Sequence, residues 1–254
     1  MEAAEARRPL EKPLPGFQTI YSAGGEPLIL GMWDSRALFE AVSGGDPSYW
    51  RGRRVLDIGA NSSGLSVELA RAGASVLAAE PDPYKNSRAK AIEVLRDVIH
   101  RESLDLSFSD AGIFETHDLG AFDTVLCLGL VYHFRDQQFV LDYLSTLDMQ
   151  DLVISNQTHP GDQLAMMNRM DPSVSVPKGF WDKYSDPLSG WHPTRPIFER
   201  MLRHAGFDQV TPLTDTSVNY PKKPIEGVTN SSYYRAVKMR SIDPIASRRV
   251  YLAR

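Results

Sequence analysis

The chain has 254 residues, 42% of them hydrophobic and 24% charged, with a formal net charge of −4. Those proportions belong to an ordinary soluble globule with one ample core and room for a small cap. They exclude a strong basic field, and the longest apolar runs, such as 125–131, fall far short of a membrane span.

Residues 1–16 are polar, carry Pro9, Pro13 and Pro15, and read as a loose arm without the apolar h-region of a secretory signal. Residues 17–32 alternate weakly around Gly24, Gly25 and Pro27, the pattern of a short hairpin. Asp34 to Val42 (DSRALFEAV) reads as a helix with Asp34 or Ser35 as N-cap and Leu38, Phe39 and Val42 inward. The run Gly44-Gly45-Asp46-Pro47 ends it.

From Trp50 onward an α/β rhythm sets in. Val55 to Ile58 reads as a buried strand, followed by a small-residue turn, then a helix over Leu65 to Arg71 with Leu65 and Leu69 on one face. Ala74 to Glu80 is a second strand, closed by Pro81-Asp82-Pro83, and Tyr84 to His100 a long helix. Leu104 to Ser109 is a third strand, and Phe122 to Leu128 a fourth and the most apolar. Cys127 lies inside it and reads as a small core residue; as the single cysteine it precludes an intrachain disulfide and fits a reducing cytosol. Asp136 to Leu147 is a helix offering Phe139, Val140, Leu141, Leu144 and Leu147 for packing, and Leu152 to Ser155 a fifth strand. Strands alternating with helices imply a parallel sheet covered on both faces.

The rhythm breaks over His159 to His192, rich in Pro, Gly, Met and aromatics, with a short helix suggested at Asp162 to Met170. Thr194 to Ala205 resumes a helix that Thr194 caps, Pro196 suits and Gly206 stops. Phe207 to Leu213 is a sixth strand, 214–243 a second irregular stretch, and Val250 to Ala253 the last strand. The expected organisation is an arm and helix over 1–49, then one α/β domain over 50–254 with a cap insertion at about 159–193.

The strand–turn–helix VLDIGANSSGLS (Val55 to Ser66) brings backbone N–H groups to a ligand. Three ligands compete for it. A P-loop needs a lysine after its second glycine to neutralise phosphate; Gly59, Gly64 and Ser66 are in place, but Leu65 fills the lysine position. A dinucleotide loop needs a middle glycine where Asn61 stands. S-adenosylmethionine (SAM) carries no phosphate, and its methionine end bears an ammonium. Asp57 at the strand end suits that cation and would repel a pyrophosphate. Asn61 tolerates the left-handed backbone such a turn needs. The charge logic favours SAM.

Taken in order, these stretches resemble the class I SAM-dependent methyltransferases over about Trp50 to Phe207, and more loosely in the C-terminal strands. VLDIGANSSG is similar to the first motif, Glu80 to the acidic residue that holds the ribose hydroxyls, and Asp110 with Ala111 to the acidic step near adenine. FDTVLCLGLVYHF is similar to the fourth-strand motif between donor and acceptor, and HAGF (His204 to Phe207) to the joint before the final hairpin. More narrowly, VLDIGANSSGLSVELARAGA, GLVYHFRD and WHPTRPIFERMLRHAGF look like a branch holding tRNA wobble-uridine carboxymethyltransferases and many secondary-metabolite methyltransferases. Asn61 and Ser63 depart from it by replacing glycines common in the first motif, and the branch includes enzymes that use a carboxylated SAM. The resemblance implies a Rossmann-like, doubly wound seven-stranded sheet of order 3-2-1-4-5-7-6 with its last strand antiparallel. It places the cofactor on Asp57, Gly59, Asn61, Gly64, Glu80, Pro81, Asp110, Ala111, Leu128 and Tyr132. The spacing agrees: Glu80 follows the glycine turn by about 20 residues, as a mononucleotide unit requires, and a carboxylate accepts two hydroxyl bonds at once.

Methyl transfer needs an in-line approach and an acceptor that loses its proton, so the candidate acid/base groups are His133, His159 and His192, each at a strand or helix end near the expected mouth. His100 and His204 read as helix-surface residues, and no cysteine cluster suggests a metal site. The stretch Met166 to Trp191, with Phe180, Trp181 and Tyr184, reads equally as a wall for an apolar acceptor and as a cap's own small core. The leading expectation is a cytoplasmic SAM-dependent methyltransferase, monomer or homodimer, acting on a small, secondary-metabolite acceptor. A tRNA-modifying alkyltransferase is the alternative, with Arg51, Arg53 and Arg54 as its local basic patch against an acidic whole, and a SAM-binding scaffold without turnover is a third.

Overall fold

The apolar runs read as strands become the centre of one sheet. A computed structural model describes residues 13–31, 33–81, 88–134, 136–158, 162–168, 191–214 and 230–238. Its main sheet holds β1 (Arg54–Ile58), β2 (Ser75–Ala79), β3 (Leu106–Ser109), β4 (Phe122–Cys127), β5 (Met149–Thr158), β6 (Gln209–Thr214) and β7 (Asn230–Val237). Their spatial order is β3-β2-β1-β4-β5-β7-β6. Neighbours from β3 to β5 run parallel, and β7 is antiparallel to both β5 and β6. This is the doubly wound order expected above, with β1 internal, where such sheets place their ligand.

Among the described residues five α-helices cover it: α1 (Ser35–Ser43), α2 (Gly64–Arg71), α3 (Arg88–Glu102), α4 (Gln137–Thr146) and α5 (Arg195–His204). Strand residues alternate between two cores, as a period of two dictates. Val55, Val76, Val153 and Tyr233 pack with Leu38, Leu65, Leu69 and Leu95 on one face. Leu56, Val125, Leu152, Ile154 and Tyr234 pack with Leu141, Leu144, Phe198 and Leu202 on the other. Cys127 is fully buried in that second core, which pushes its thiol pKa up to about 12. Asp34 caps α1 through bonds from the Arg36 and Ala37 amides (2.9 and 3.2 Å), and Asp136 caps α4 from the Phe139 amide at 2.9 Å. Phe139 itself does not pack inward: it is 48% exposed and meets Phe114 at the surface, 5.5 Å between ring centroids.

Three sequence expectations need correction. Among the described residues the last strand of the sheet is Asn230–Val237, inside the stretch read as irregular; the strand expected at Val250 to Ala253 lies outside the described residues. Its polar start, Asn230-Ser231-Ser232, disguises a strand paired on both edges, with β5 and with β6. The fifth strand is ten residues long because β7 pairs along it from Asp151 to Thr158, well past the last residue facing β4. The helix suggested at Asp162 to Met170 is replaced, where described, by bends and a short strand, Met166–Asn168, antiparallel to Trp191–Pro193. Thr194 ties this segment down: its N–H donates to Ala165 O (2.8 Å) and its hydroxyl to Gln163 O (2.5 Å).

Before β1, Gln18–Tyr21 and Pro27–Leu30 form the expected hairpin, extended by Leu14–Pro15 and Trp33–Asp34 into a four-stranded sheet. At the amino-terminal end of the main sheet, the Tyr49 ring lies between the guanidinium groups of Arg53 and Arg235, 4.0 and 3.7 Å from its centroid. Its hydroxyl donates to Asp151, and burial together with that bond pushes its pKa up to about 12. Arg53 pairs with Asp151 at 3.1 Å and donates to Thr124 at 2.7 Å. Of the three arginines read as a basic patch, Arg53 is therefore built into the fold, and Arg54 lies over the Phe122 ring and bonds Ala121 O at 2.7 Å.

Candidate functional site

The turn after β1 is shaped by its own amides. Gly59 (φ +71°) sends its N–H to Ala79 O at 2.8 Å, and Ala60 does the same at 3.2 Å, so the chain folds over the end of β2. A Cβ at Gly59 would stand 3.3 Å from Leu130 Cδ2 as well as in a strained backbone. Asn61 and Ser63 both adopt left-handed backbone (φ +49° and +57°). The Asn61 N–H donates to Glu80 Oε2 at 2.9 Å, tying the turn to the residue that ends β2. Asp57 is 3% exposed; its Oδ2 accepts the Ser66 hydroxyl at 2.6 Å. Burial pushes its pKa up to about 6, against the Ser66 bond and with the help of the Glu80 charge.

Sequence reasoning missed Gln18. From the first strand of the hairpin its Oε1 accepts the Leu65 N–H (2.8 Å), the free amide at the start of α2, and its own backbone N–H donates to Ser62 Oγ (2.7 Å). Its Nε2 reaches Ala60 O at 3.5 Å. Gly64 answers to the same strand: a Cβ there would meet Thr19 O at 2.7 Å and Gln18 Cβ at 2.9 Å. The second glycine of the motif thus admits the hairpin. No local pattern in the sequence could have shown this, because the partners lie more than forty residues apart.

Glu80 and Pro81 follow β2, and Asp110 and Ala111 follow β3, with the Glu80 N–H on Ser109 O at 3.0 Å joining the two ends. Asp110 and Pro81 are exposed, and the Ala111 N–H donates to Ser109 Oγ at 3.2 Å. Beyond β4, Leu128 is half-buried, and Gly129 (φ +63°) donates its N–H to Ser155 Oγ on β5 at 2.9 Å. The Gly129 Cβ position lies 3.7 Å from Tyr132 Oη and 3.9 Å from Trp33 Cη2, so an aromatic from the amino-terminal strands converges there with one from the β4 turn. Phe17 stacks behind Trp33 at 5.8 Å.

Of the three histidines, two come together. Tyr132 lies 4.3 Å from the His133 ring and 6.3 Å from the His192 ring, centroid to centroid. His133 ends a short helical turn, Val131–His133, and desolvation lowers its pKa, leaving it neutral near physiological pH. His192 does not open the helix; it sits in the strand Trp191–Pro193, 2% exposed, opposite Met167, because the Thr194 bonds hold that strand in place ahead of α5. His159 and Trp181 lie outside the described residues. Asn156 of β5, unflagged by the sequence, is fully buried and donates to Gln137 Oε1 at 3.1 Å. Among the described residues no three His, Cys, Asp or Glu side chains converge as a metal site would, and no helix is long and apolar enough to cross a membrane.

No family model and no curated protein matches the sequence. Solved structures match in fold. The N-terminal domain of EvdMO1 with S-adenosylhomocysteine (SAH) bound is similar over 90% of this chain and 92% of that one, with 18% identity and a TM-score of 0.55. Magnesium protoporphyrin IX methyltransferase (ChlM) from Synechocystis PCC 6803 with bound SAM covers 80% of each chain at 16% identity and a TM-score of 0.52. The 1,6-didemethyltoxoflavin-N1-methyltransferase of Burkholderia thailandensis, with 1,6-didemethyltoxoflavin and SAH bound, covers 81% of this chain and 80% of its own at 17% identity and a TM-score of 0.54. The chain has the Rossmann-like fold of these proteins, with the strand order expected from the sequence.

Proposed function

We propose that this chain is a SAM-dependent methyltransferase that holds its donor across the carboxyl ends of β1, β2 and β4 and acts on a small-molecule acceptor. One observation carries the reading: the Asp57 carboxylate is buried beneath the turn, and the first amide of α2 that could take a phosphate is already bonded. The buried Asp57 carboxylate has its pKa raised, so a neighbouring ammonium would stabilise its charged form. The Leu65 N–H, where a phosphate would dock, is already bonded to Gln18, and the Ser66 hydroxyl is committed to Asp57. The fold neighbours, which carry SAM or SAH, support the same donor.

When bound, SAM supplies an electrophilic methyl group on a sulfonium. The residues present suit it. Asp57 and Gly59 would hold its methionine end, Glu80 its ribose hydroxyls, Asp110 and Ala111 its adenine, and Leu128 and Tyr132 would line its site from the end of β4. His133 and His192, both near the Tyr132 ring, are the groups to take a proton from the acceptor, and Trp33 with Tyr132 offers an apolar wall for an aromatic ring. The neighbour with 1,6-didemethyltoxoflavin bound supports a small-molecule acceptor. Of the basic patch that the tRNA alternative needs, Arg53 is held by Asp151 and Thr124, while Arg51 and Arg54 are exposed. The test is calorimetry with SAM, SAH, NAD and ATP, then incubation with methyl-labelled SAM and a fractionated extract. SAH binding with label in small organic products bears the proposal out; nucleotide binding alone overturns the cofactor, and label in RNA overturns the acceptor class.

A further inference from the structure

We infer that Gln18 is a positioning residue for the donor: it holds the Asn61–Leu65 turn in its binding form from outside the α/β domain. The inference rests on the cofactor reading above and adds a residue to it. Four contacts carry it. Gln18 Oε1 accepts the Leu65 N–H at 2.8 Å, its backbone N–H donates to Ser62 Oγ at 2.7 Å, its Nε2 approaches Ala60 O at 3.5 Å, and Gly64 leaves room for nothing but Gln18 and Thr19. Leu65 is 1% exposed, so its N–H has no water to turn to if the glutamine is lost. The turn also contains two left-handed residues other than glycine, Asn61 and Ser63, a conformation an unheld loop would leave. From the other side Glu80 grips it, through the Asn61 N–H at 2.9 Å. Gln18 is therefore one jaw of a clamp whose other jaw is Glu80. Without it the turn visits forms that do not bind, and apparent affinity falls in proportion to the competent fraction.

Gln18→Leu removes the acceptor at nearly constant volume, Gln18→Glu keeps an oxygen for the Leu65 N–H, and Ile29→Val loosens the hairpin core without touching the turn. Two readouts are taken: amide hydrogen exchange at Leu65, which needs no ligand, and calorimetric affinity for SAH. The expected result is faster Leu65 exchange and about tenfold weaker SAH binding in Gln18→Leu, the factor for one lost buried hydrogen bond, with Gln18→Glu close to the unaltered chain and Ile29→Val unchanged in affinity. Unchanged Leu65 exchange in Gln18→Leu overturns the inference, as does equal loss of affinity in Ile29→Val, which would mean general loosening of the hairpin. Failure of the unaltered chain to bind SAH overturns the cofactor reading instead, while the exchange measurement still judges the contact.

Discussion

Donor binding should depend on pH through Asp57, and the direction follows from its burial. Its carboxyl titrates near 6 in the fold against an ordinary value of 3.8, because burial disfavours the charge and the Ser66 bond offsets only part of that. The folded chain therefore binds more protons than the unfolded chain between these values. Stability should fall as pH rises through that window and level off above it, by at most ~3 kcal/mol from this residue. Affinity for a ligand bearing an ammonium runs the other way, since only the ionised carboxylate attracts it. At about pH 5 roughly a tenth of the molecules carry the ionised form, so SAH should bind about tenfold more weakly than at about pH 7.5. Asp57→Asn keeps the shape and a partner for Ser66. It should raise the melting temperature of the ligand-free chain at neutral pH, lower SAH affinity to the acid-pH level and abolish the dependence between the two pH values. Calorimetry at both pH values, in the unaltered chain and the variant, decides it. Desolvation also lowers the His133 pKa. A pH dependence that survives in Asp57→Asn would refute the assignment, as would an unchanged affinity in the variant.

Three further outcomes are expected. Glu80→Ala removes the acceptor of the Asn61 N–H and the proposed ribose contact, and should weaken SAH by about 1.5–3 kcal/mol in calorimetry; unchanged affinity takes Glu80 out of the site. Gly64→Ala would force a methyl group to 2.7 Å from Thr19 O, so thermal unfolding should show a loss of about 1–3 kcal/mol even without ligand. His133→Ala should leave SAH affinity within about twofold and lower labelled-methyl transfer to extract acceptors by about 10²-fold or more if this histidine takes the proton; equal transfer rates would pass the role to His192.

The strands on both sides of the β1 turn were legible because a parallel strand buried on two faces must be a continuous apolar run, and VLDI, SVLAA and TVLC are such runs. Their order was not legible from the runs themselves and came with the family resemblance. β7 escaped because half of it is polar and small; Ser232 and Tyr233 are buried by β5 and the helices, a fact of tertiary pairing. The placement of residues in the candidate site divides the same way. That Asp57 and Glu80 stand at strand ends beside the turn was readable from the runs that precede them. His192 was readable as a histidine near the mouth, yet its burial follows from a strand pairing with Met166–Asn168 that no short motif announces. Gly64 was readable as a required glycine, but the neighbour that requires it is the hairpin.

The departures of the motif and the contacts of the hairpin explain one another. A left-handed backbone costs a non-glycine residue about 1 kcal/mol or more, somewhat less for asparagine. Asn61 and Ser63 both adopt it. Glycine in their place would lower that cost, and it would also leave the turn loose and open to a pyrophosphate. Here the conformation is held by partners: Glu80 takes the Asn61 N–H, Ala60 O takes the Ser63 N–H at 2.7 Å, and Gln18 takes the Leu65 N–H. Each such bond contributes on the order of 1 kcal/mol, enough together to outweigh two strained residues. The turn is thus stiffer than a glycine-rich one, and the amide that would have bound an anion is used up in stiffening it. On the proposed reading, specificity for a cationic, phosphate-free donor would come from the same hydrogen bonds that give the turn its shape, and would depend on residues from the hairpin as much as on the motif itself.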